Sequence, residues 1–234
     1  MRIAVIPARS GSKRVPCKNV KIFAGQPILA VTASAILKTN IFDRVIVSTD
    51  SQEIADVAKS AGVEVPFMRP AVLSDDYAST VDVMRHAVAS IAEEGVVNDY
   101  CCIYPTAPYI RADDLLKLYQ VLVDGGWDYV FPVAEYLHPI QRALRLGDEG
   151  KIEMVHPNYE QTRTQDLSKA YHDVGQFYWG RQCSWLSARG IFESRSAGVP
   201  VSPYYYRDIN TLSDWVDAEQ FYEFMEWRRS SGYC

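Results

Sequence analysis

Short apolar runs recur along the first half of the chain at intervals long enough to hold a helix between them. Five of these runs predict strands, at Ile3–Ile6, Val45–Val47, Val63–Phe67, Cys101–Tyr104 and Tyr129–Val133. Amphipathic segments between them predict helices at Ile28–Lys38, Ser51–Ala61, Thr80–Glu94 and Ala112–Val123. This alternation indicates a doubly wound α/β fold with a mainly parallel sheet. Loops at the carboxyl ends of its strands are expected to meet in one crevice.

The alternation ends after Val133. Residues 134–171 mix charged and aromatic side chains, have weak periodicity and contain turn signals. We interpret this segment as a small inserted lobe; the alternative is a long flexible loop, although structureless loops of this length are uncommon in compact domains. The core pattern then resumes, with two strands and a final helix predicted at Gly175–Trp179, Val199–Tyr206 and Ser213–Arg228. Residues 1–234 are accordingly predicted to form a single domain.

Composition excludes several classes of protein. With 48% hydrophobic and 23% charged residues, the chain has enough apolar material for a core, and disorder is excluded. The formal net charge of -5 argues against general nucleic-acid binding. The first apolar stretch ends before Arg9, too soon for a signal peptide or a membrane span, so we expect a cytoplasmic protein with no membrane segment.

The cysteines are odd in number and lack C-x-x-C spacing, which predicts reduced thiols and no structural zinc site. They are Cys17, Cys101, Cys102, Cys183 and Cys234.

Positive charge concentrates in the loop after the first strand. No acidic residue precedes Asp43, whereas the stretch from Arg9 to Lys21 is rich in lysine and arginine. The small residues Ser10-Gly11-Ser12 allow backbone N–H groups to approach phosphate oxygens, so we predict a triphosphate site. A solvated basic turn is the alternative. With one glycine, the loop matches neither G-x-G-x-x-G nor the Walker pattern.

The joint pattern in this loop is more specific than its charge. Pro7-Ala8-Arg9, Gly11-Ser12-Lys13-Arg14 and Pro16-x-Lys18-Asn19 together resemble the N-terminal signature of the CMP-sialic acid synthetase family, which activates acidic sugars with CTP. The resemblance implies that the loop binds CTP, with Asn19 near the nucleoside and Arg14 in a supporting position. The implied triphosphate contacts are Arg9, Ser10, Gly11, Ser12, Lys13 and Lys18.

A second motif of this family is similar to Arg69-Pro70-Ala71 and the segment from Leu73 to Thr80. The resemblance implies that Arg69 and Thr80 lie near cytosine. A structural alternative is that Ser79 or Thr80 caps the following helix.

Residues 104–108, Tyr-Pro-Thr-Ala-Pro, resemble the family's Q-P-T-S-P, with Tyr104 in place of glutamine and Ala107 in place of serine. These departures fall where family members approach the sugar, which puts N-acetylneuraminate in doubt as the substrate.

The segment from Tyr205 to Trp215 corresponds to the family's I-D-I-D-T-x-x-D. The resemblance implies that Asp208 binds Mg²⁺, a cation that favours oxygen ligands and takes few carboxylates. Asn210 replaces the usual second aspartate as a metal-site candidate. We expect Asp214 to cap the final helix rather than to bind metal.

The pattern Y-H-D-x-G-Q-F-Y-W at Tyr171–Trp179 is similar to that of bacterial pseudaminic acid cytidylyltransferases. The resemblance implies the reaction of CTP with pseudaminate to give CMP-pseudaminate and pyrophosphate, with Arg9, Lys13, Lys18 and Asp208 as catalytic residues. Predicted sugar contacts are Tyr104, Thr106, Arg163, His172, Gln176 and Tyr178.

Two alternatives remain open at this point. The first keeps the chemistry but changes the acidic sugar to N-acetylneuraminate, legionaminate or Kdo. The second is a regulator that binds nucleotide sugars without turnover. The family resemblance further implies a homodimer formed through the inserted lobe at 134–171.

Overall fold

The computed structural model describes residues 1–92, 96, 98–187 and 189–232. Its strands are β1 Arg2–Pro7, β2 Ile22–Phe23, β3 Gln26–Pro27, β4 Arg44–Ser48, β5 Asp99–Ile103, β6 Tyr129–Glu135, β7 Leu144–Leu146, β8 Ile152–Met154, β9 Tyr171–Asp173, β10 Phe177–Arg181 and β11 Ser196–Pro200. Its α-helices are α1 Ile28–Lys38, α2 Gln52–Ser60, α3 Thr80–Ile91, α4 Ala112–Gly125, α5 Gln182–Leu186 and α6 Leu212–Ser230.

The central sheet has the strand order β11-β6-β10-β5-β1-β4, and β9 pairs with β6 beyond the end of β10. Strand β1 lies parallel to β4 and β5, and β11 lies parallel to β6. Strand β10 runs antiparallel to both of its neighbours, and β9 is antiparallel to β6. The prediction of a mainly parallel sheet is therefore confirmed. Because β10 is reversed, the residues just before it lie at the same edge as the carboxyl ends of the parallel strands.

Side chains of β1 alternate between two cores on opposite faces of the sheet. Ala4 and Ile6 pack with apolar residues of α1, α2 and α4, whereas Ile3 and Val5 pack with those of α3 and α5. Helices thus cover both faces, as the apolar pattern predicted. A third cluster joins α6 to α1 and the β2–β3 hairpin through residues such as Trp215 and Phe23.

Prolines explain two wrong strand boundaries. At Val63–Phe67 the structure has no continuous strand. Glu64 forms an isolated bridge with Ile46 of the edge strand β4, and Pro66 has no N–H to donate to a ladder. The prediction of a strand at Val199–Tyr206 is also wrong, because β11 ends at Pro200 and Pro203 begins a short 3-10 turn. The predicted helix from Thr80 ends at Ile91, and its last residues, at 93–94, lie outside the described residues.

Helix starts were easier to predict. Helix α1 has the predicted bounds, and the Ser79 hydroxyl caps α3 as one alternative predicted, accepting a hydrogen bond from the Asp82 N–H. The Ser51 hydroxyl caps α2 in the same way, accepting from the Ile54 N–H.

The segment between β6 and β9 leaves the sheet and returns to it. It contains the β7–β8 hairpin and several short 3-10 turns. Leu144, Leu146 and Ile152 on this hairpin are exposed. The inserted segment therefore leaves the sheet at the end of β6 and rejoins it at β9. Its role in dimerisation stays a prediction.

Cys17, Cys101, Cys102 and Cys183 are free thiols, whereas Cys234 lies outside the described residues. Among the helices of the described residues, none is both long and apolar enough to cross a membrane.

Candidate active site

A cavity of about 550 Å³ opens beside the basic loop at the carboxyl ends of β1 and β5. Its lining contains most of the predicted nucleotide contacts and two of the predicted sugar contacts: Arg9, Ser12, Lys13, Lys18, Asn19, Arg69, Thr80, Tyr104 and Thr106. A Cβ atom added at Gly11 would meet no atom within 4 Å, so this part of the loop is open to an approaching ligand.

Two loop cations share one carboxylate. The Asp76 side chain pairs with Arg9 Nη2 at 2.9 Å and also with Lys13 Nζ. Arg9 Nη1 donates a second hydrogen bond to the Asp75 carbonyl oxygen. Lys13 and Arg9 together lower the pKa of Asp76, which is therefore ionised at neutral pH. Since these ion pairs are solvent-exposed, they contribute little stability and can be exchanged for another anion.

Lys18 and Asn19 are held more firmly. Lys18 Nζ donates to the Ile209 carbonyl oxygen at 2.6 Å, which connects the basic loop to the segment that precedes α6. Burial lowers the pKa of Lys18, and the nearby Asp208 carboxylate offsets part of that effect. The buried Asn19 side chain donates from Nδ2 to the Arg9 carbonyl oxygen at 2.8 Å, so it fixes the loop from within.

Asp50, which follows β4, orders the start of the loop. Its carboxylate accepts hydrogen bonds from the Ser10 N–H at 3.0 Å and from the Ser10 hydroxyl at 2.7 Å. Burial alone would raise the pKa of Asp50, but these bonds from Ser10 outweigh it and hold the pKa below its usual value. Both hydrogen-bond donors of Ser10 are therefore engaged with Asp50, and its predicted contact with CTP stays untested.

Arg69 places a buried cation in the cavity wall. Its side chain is 3% exposed, its Nε donates to Ser74 Oγ at 3.1 Å, and its Nη2 lies 3.7 Å from Asp50 Oδ1. Nη2 has no hydrogen-bond partner, and burial lowers the pKa of the guanidinium. Nη2 is thus ion-paired with Asp50 without a hydrogen bond, and a buried donor that makes no hydrogen bond costs free energy unless a ligand supplies an acceptor. Arg69 is thus suited to bind a polar group inside the cavity.

Two tyrosines lie between the cavity and Asp173. Thr80 Oγ1 lies 3.0 Å from the Tyr104 hydroxyl, and the Tyr104 ring meets the Tyr178 ring edge to face, with ring centroids 5.6 Å apart. The Tyr178 hydroxyl donates to the Asp173 carboxylate. Burial, followed by the neighbouring Tyr104 and Asp173, raises the pKa of Tyr178, which keeps the phenol protonated.

The other predicted sugar contacts do not line this cavity. Gln176 is buried, and its Nε2 donates to the Tyr205 carbonyl oxygen at 2.6 Å. His172 packs between the rings of Tyr136 and Tyr206, whose centroids lie 5.0 and 5.8 Å away. Arg163 is exposed on the inserted segment. Their contact with a sugar stays a prediction.

Asp208 and Asn210 lie before α6, close to Lys18. Asn210 Nδ2 donates to the exposed Asp208 carboxylate, while the Asn210 N–H donates to Asp214. Asp214 and Thr211 form a capping box at the start of α6, as predicted for Asp214. Within the described residues, no group of three or more histidine, cysteine and acidic side chains is arranged to hold a metal ion.

Reasoning from the sequence missed three carboxylates of this site. Asp50, Asp76 and Asp173 each accept hydrogen bonds from predicted site residues or their neighbours. Asp76 and Asp173 belong to the motifs that carry the family resemblance, and this could have marked them as site residues. Their hydrogen-bond partners come from loops that are distant along the chain, so the spacing of residues in the sequence could not have identified those partners.

Comparison with known proteins identifies the family. The sequence model of the cytidylyltransferase family matches residues 3–220. The chain belongs to the cytidylyltransferase family.

Curated relatives cover most of this cytidylyltransferase. A pseudaminic acid cytidylyltransferase of Campylobacter jejuni subsp. jejuni serotype O:2 is 36% identical over 94% of this chain and 96% of that protein. N-acylneuraminate cytidylyltransferase A of Danio rerio is 32% identical over 93% of this chain and 50% of that protein. The predicted resemblance to this group is confirmed.

Solved structures confirm the fold. CMP:2-keto-3-deoxy-manno-octonic acid synthetase, solved in complex with CTP, superposes with a TM-score of 0.68 at 16% identity, covering 97% of this chain and 99% of that one. A 4-diphosphocytidyl-2C-methyl-D-erythritol synthase from Anaerococcus prevotii gives a TM-score of 0.64 at 10% identity, covering 95% of this chain and 96% of that one. The chain therefore has the fold of nucleotidyltransferases.

Proposed function

We propose that this cytidylyltransferase converts CTP and pseudaminate to CMP-pseudaminate and pyrophosphate. One observation carries the nucleotide half of the proposal: the cavity combines a cluster of loop cations with the buried guanidinium of Arg69, whose Nη2 makes no hydrogen bond. Cations suit a triphosphate, and a buried polar donor suits the acceptor edge of a base. CTP, a cytoplasmic nucleotide, would place the reaction in the cytoplasm.

In the proposed reaction, the anomeric oxygen of the sugar forms a bond to the α-phosphorus and the bond from the α-phosphorus to the leaving pyrophosphate breaks. The anomeric hydroxyl loses its proton. Negative charge builds on the leaving group, and the positively charged side chains of Arg9, Lys13 and Lys18 would stabilise it. Asp76 holds Arg9 and Lys13 near one another in the free enzyme, and the triphosphate would replace Asp76 as their partner.

We also propose that a divalent cation such as Mg²⁺ binds at Asp208. The Asp208 carboxylate is exposed, and Asn210 beside it offers a neutral oxygen ligand. This small donor set fits a cation that commonly takes one or two carboxylates and completes its shell with substrate phosphates. When bound, the cation would neutralise charge on the phosphate oxygens. Asp208 lies close enough to Lys18 to influence its charge, so both would act on the same substrate.

Pseudaminate is the sugar in the name of the relative with the higher identity and coverage of the two described above. The Campylobacter jejuni relative at 36% identity is a pseudaminic acid cytidylyltransferase, and the motif at Tyr171–Trp179 agrees with that assignment. Tyr104 replaces the family's glutamine at the cavity wall, adding an aromatic ring where other members have an amide. Such a surface suits a sugar that makes more apolar contacts.

A homodimer is the assembly we propose. The inserted segment exposes several apolar residues on the β7–β8 hairpin, among them Leu144, Leu146 and Ile152. Burial of this hairpin against a second copy would remove them from water. It would also give Arg163 on the same segment a place beside a substrate.

Side-by-side turnover assays test the proposal. Pyrophosphate release would be measured with CTP and each of pseudaminate, legionaminate, N-acetylneuraminate and Kdo. We expect pseudaminate to give the highest kcat/KM. Efficient turnover of N-acetylneuraminate with none of pseudaminate would overturn the sugar assignment. Absence of pyrophosphate release with every sugar, combined with tight nucleotide binding, would support a regulator instead.

A further inference from the structure

Three segments of the chain meet at the residues that follow β4. The Ala8 N–H donates to the Ser48 carbonyl oxygen at 3.0 Å, which places the start of the basic loop beside the end of β4. The Arg69 N–H donates to the Thr49 carbonyl oxygen at 2.7 Å, which places Arg69 beside the next residue. Asp50 follows both contacts. Its side chain therefore lies within reach of the basic loop and of Arg69.

One carboxylate oxygen of Asp50 contacts both of these neighbours. Oδ1 accepts a hydrogen bond from the Ser10 N–H at 3.0 Å and lies 3.7 Å from Arg69 Nη2. Oδ2 accepts a hydrogen bond from the Ser10 hydroxyl at 2.7 Å. The contacts with Ser10 are hydrogen bonds, whereas the contact with Arg69 is a longer ion pair without one. A shift of either neighbour therefore changes how the same carboxylate holds the other.

Asp50 influences the cavity without facing it. Arg69 and Ser12 line the cavity, whereas Asp50 and Ser10 do not. The Ser12 N–H donates to the Ser10 carbonyl oxygen at 2.9 Å, so the turn at residues 10–12 takes its position from Ser10. Asp50 thus holds one group on the base side of the proposed nucleotide site and one on the phosphate side.

We propose that Asp50 is a positioning residue that makes the binding of the base and the binding of the triphosphate cooperative. A base that accepts a hydrogen bond from Arg69 fixes the guanidinium beside Asp50, and the fixed carboxylate holds Ser10 and the turn that follows. Because the shared carboxylate is ordered once, the second half of the nucleotide binds with a smaller loss of conformational entropy. This inference rests on the proposed function, since it assumes that the base lies at Arg69 and the triphosphate at the basic loop.

Fragments of CTP test this coupling. The affinity for inorganic tripolyphosphate would be measured by calorimetry with and without saturating cytidine, and with no added divalent cation. In the wild type we expect cytidine to raise this affinity at least about fivefold, and tripolyphosphate to raise the affinity for cytidine by the same factor. Asp50→Asn should reduce the factor to about one. Asp56→Asn, exposed on α2, is the matched control and should keep the wild-type factor.

The ratio of the two affinities separates positioning from the other effects of Asp50→Asn. Loss of a negative charge changes the binding of tripolyphosphate, but equally with and without cytidine, because cytidine is uncharged. A fraction of unfolded protein would weaken the binding of each fragment and would not abolish the coupling.

A second variant tests the loop side of the contact alone. Ser10→Ala removes one hydrogen bond of an exposed side chain, and it should lower the coupling factor in the wild type but not further in Asp50→Asn. Equal coupling in the wild type and in Asp50→Asn would overturn the inference, as would independent binding of the two fragments to the wild type. Wild-type protein that binds neither CTP nor tripolyphosphate would instead contradict the proposed function itself.

Discussion

The predicted nucleotide contacts and the predicted sugar contacts are built in different ways. The first group comes from strand ends and the loops that follow them, and most of it lines one cavity in a single chain. The second group is divided: Tyr104 and Thr106 line the cavity, whereas Arg163 is carried on a segment that leaves the sheet. We expect the nucleotide chemistry to depend on the strand-end loops of one chain. In the proposed homodimer, sugar selection would also depend on the inserted segment of a second copy. Four variants test this division.

Asp208→Ala should have the largest effect. Removal of the one carboxylate that we assign to the divalent cation should reduce turnover below detection. CTP should still bind, because Arg9, Lys13 and Lys18 remain to hold the triphosphate. Turnover and CTP affinity would be measured together. Asp217→Ala, an exposed aspartate in the first half of α6, is the control. Near-normal turnover of the Asp208 variant would remove this residue from the proposed mechanism.

Lys13→Ala should lower kcat by about 10²–10³, the usual effect of losing one group that stabilises developing charge. Stability should hardly change, because the Lys13 side chain is 80% exposed and its ion pair with Asp76 lies in solvent. Steady-state kinetics and thermal unfolding together check both statements, with Lys59→Ala on α2 as the control. A variant that unfolds at a much lower temperature would show a structural role for Lys13.

The sequence predicted the sheet and the nucleotide loop well for physical reasons. A buried strand such as Ile3–Ile6 must be apolar on both faces, and caps such as Ser51 act locally. The strand predictions at Val63–Phe67 and Val199–Tyr206 were wrong because apolar content was weighed above the missing N–H groups of Pro66 and Pro203. Local sequence patterns therefore predicted most of the strands and helices, whereas single residues such as proline determined where those strands ended.

The hydrogen-bond partners of the site were harder to predict. The ion pairs of Asp76 with Arg9 and Lys13 join residues more than sixty positions apart, and the hydrogen bonds of Asp50 with Ser10 join residues forty positions apart. The antiparallel placement of β10, which carries Tyr178 beside Tyr104, also arises from the whole topology. The hydrophobic periodicity and the spacing of motifs along the chain carry no information on contacts between residues that are this far apart in the sequence. Only the family motifs indicated that these residues belong together.

Arg163→Ala should affect the sugar and leave the nucleotide unchanged. If the inserted segment lies over the substrate of a neighbouring copy, loss of this cation should raise KM for the acidic sugar at least about tenfold, the effect of one hydrogen bond to a charged group. KM for CTP should stay the same. Arg189→Ala, another exposed arginine, serves as the control. A parallel rise in both KM values would contradict the division between the two groups of contacts.

The smallest effect concerns Lys18, which joins the basic loop to the segment before α6 through the Ile209 carbonyl oxygen. Burial lowers the pKa of Lys18 in the folded protein below the ordinary lysine value of 10.5. Between those two pKa values the unfolded chain binds more protons than the folded one, so the free energy of unfolding rises with pH in that window. Lys18→Met removes this dependence.

The stability of the wild type relative to Lys18→Met should therefore increase as the pH rises through the folded pKa of Lys18 toward 10.5. Urea unfolding of both proteins at a series of pH values from neutral to alkaline measures the difference, with Lys59→Met as an exposed control that should show no trend. The nearby Asp208 carboxylate opposes the burial effect, so Asp208→Ala should lower the pKa of Lys18 further and widen the window. A relative stability that falls with rising pH would mean that attraction to Asp208 outweighs burial. The charge of Lys18 would then be set mainly by Asp208, the proposed metal ligand, and less by the burial of its side chain.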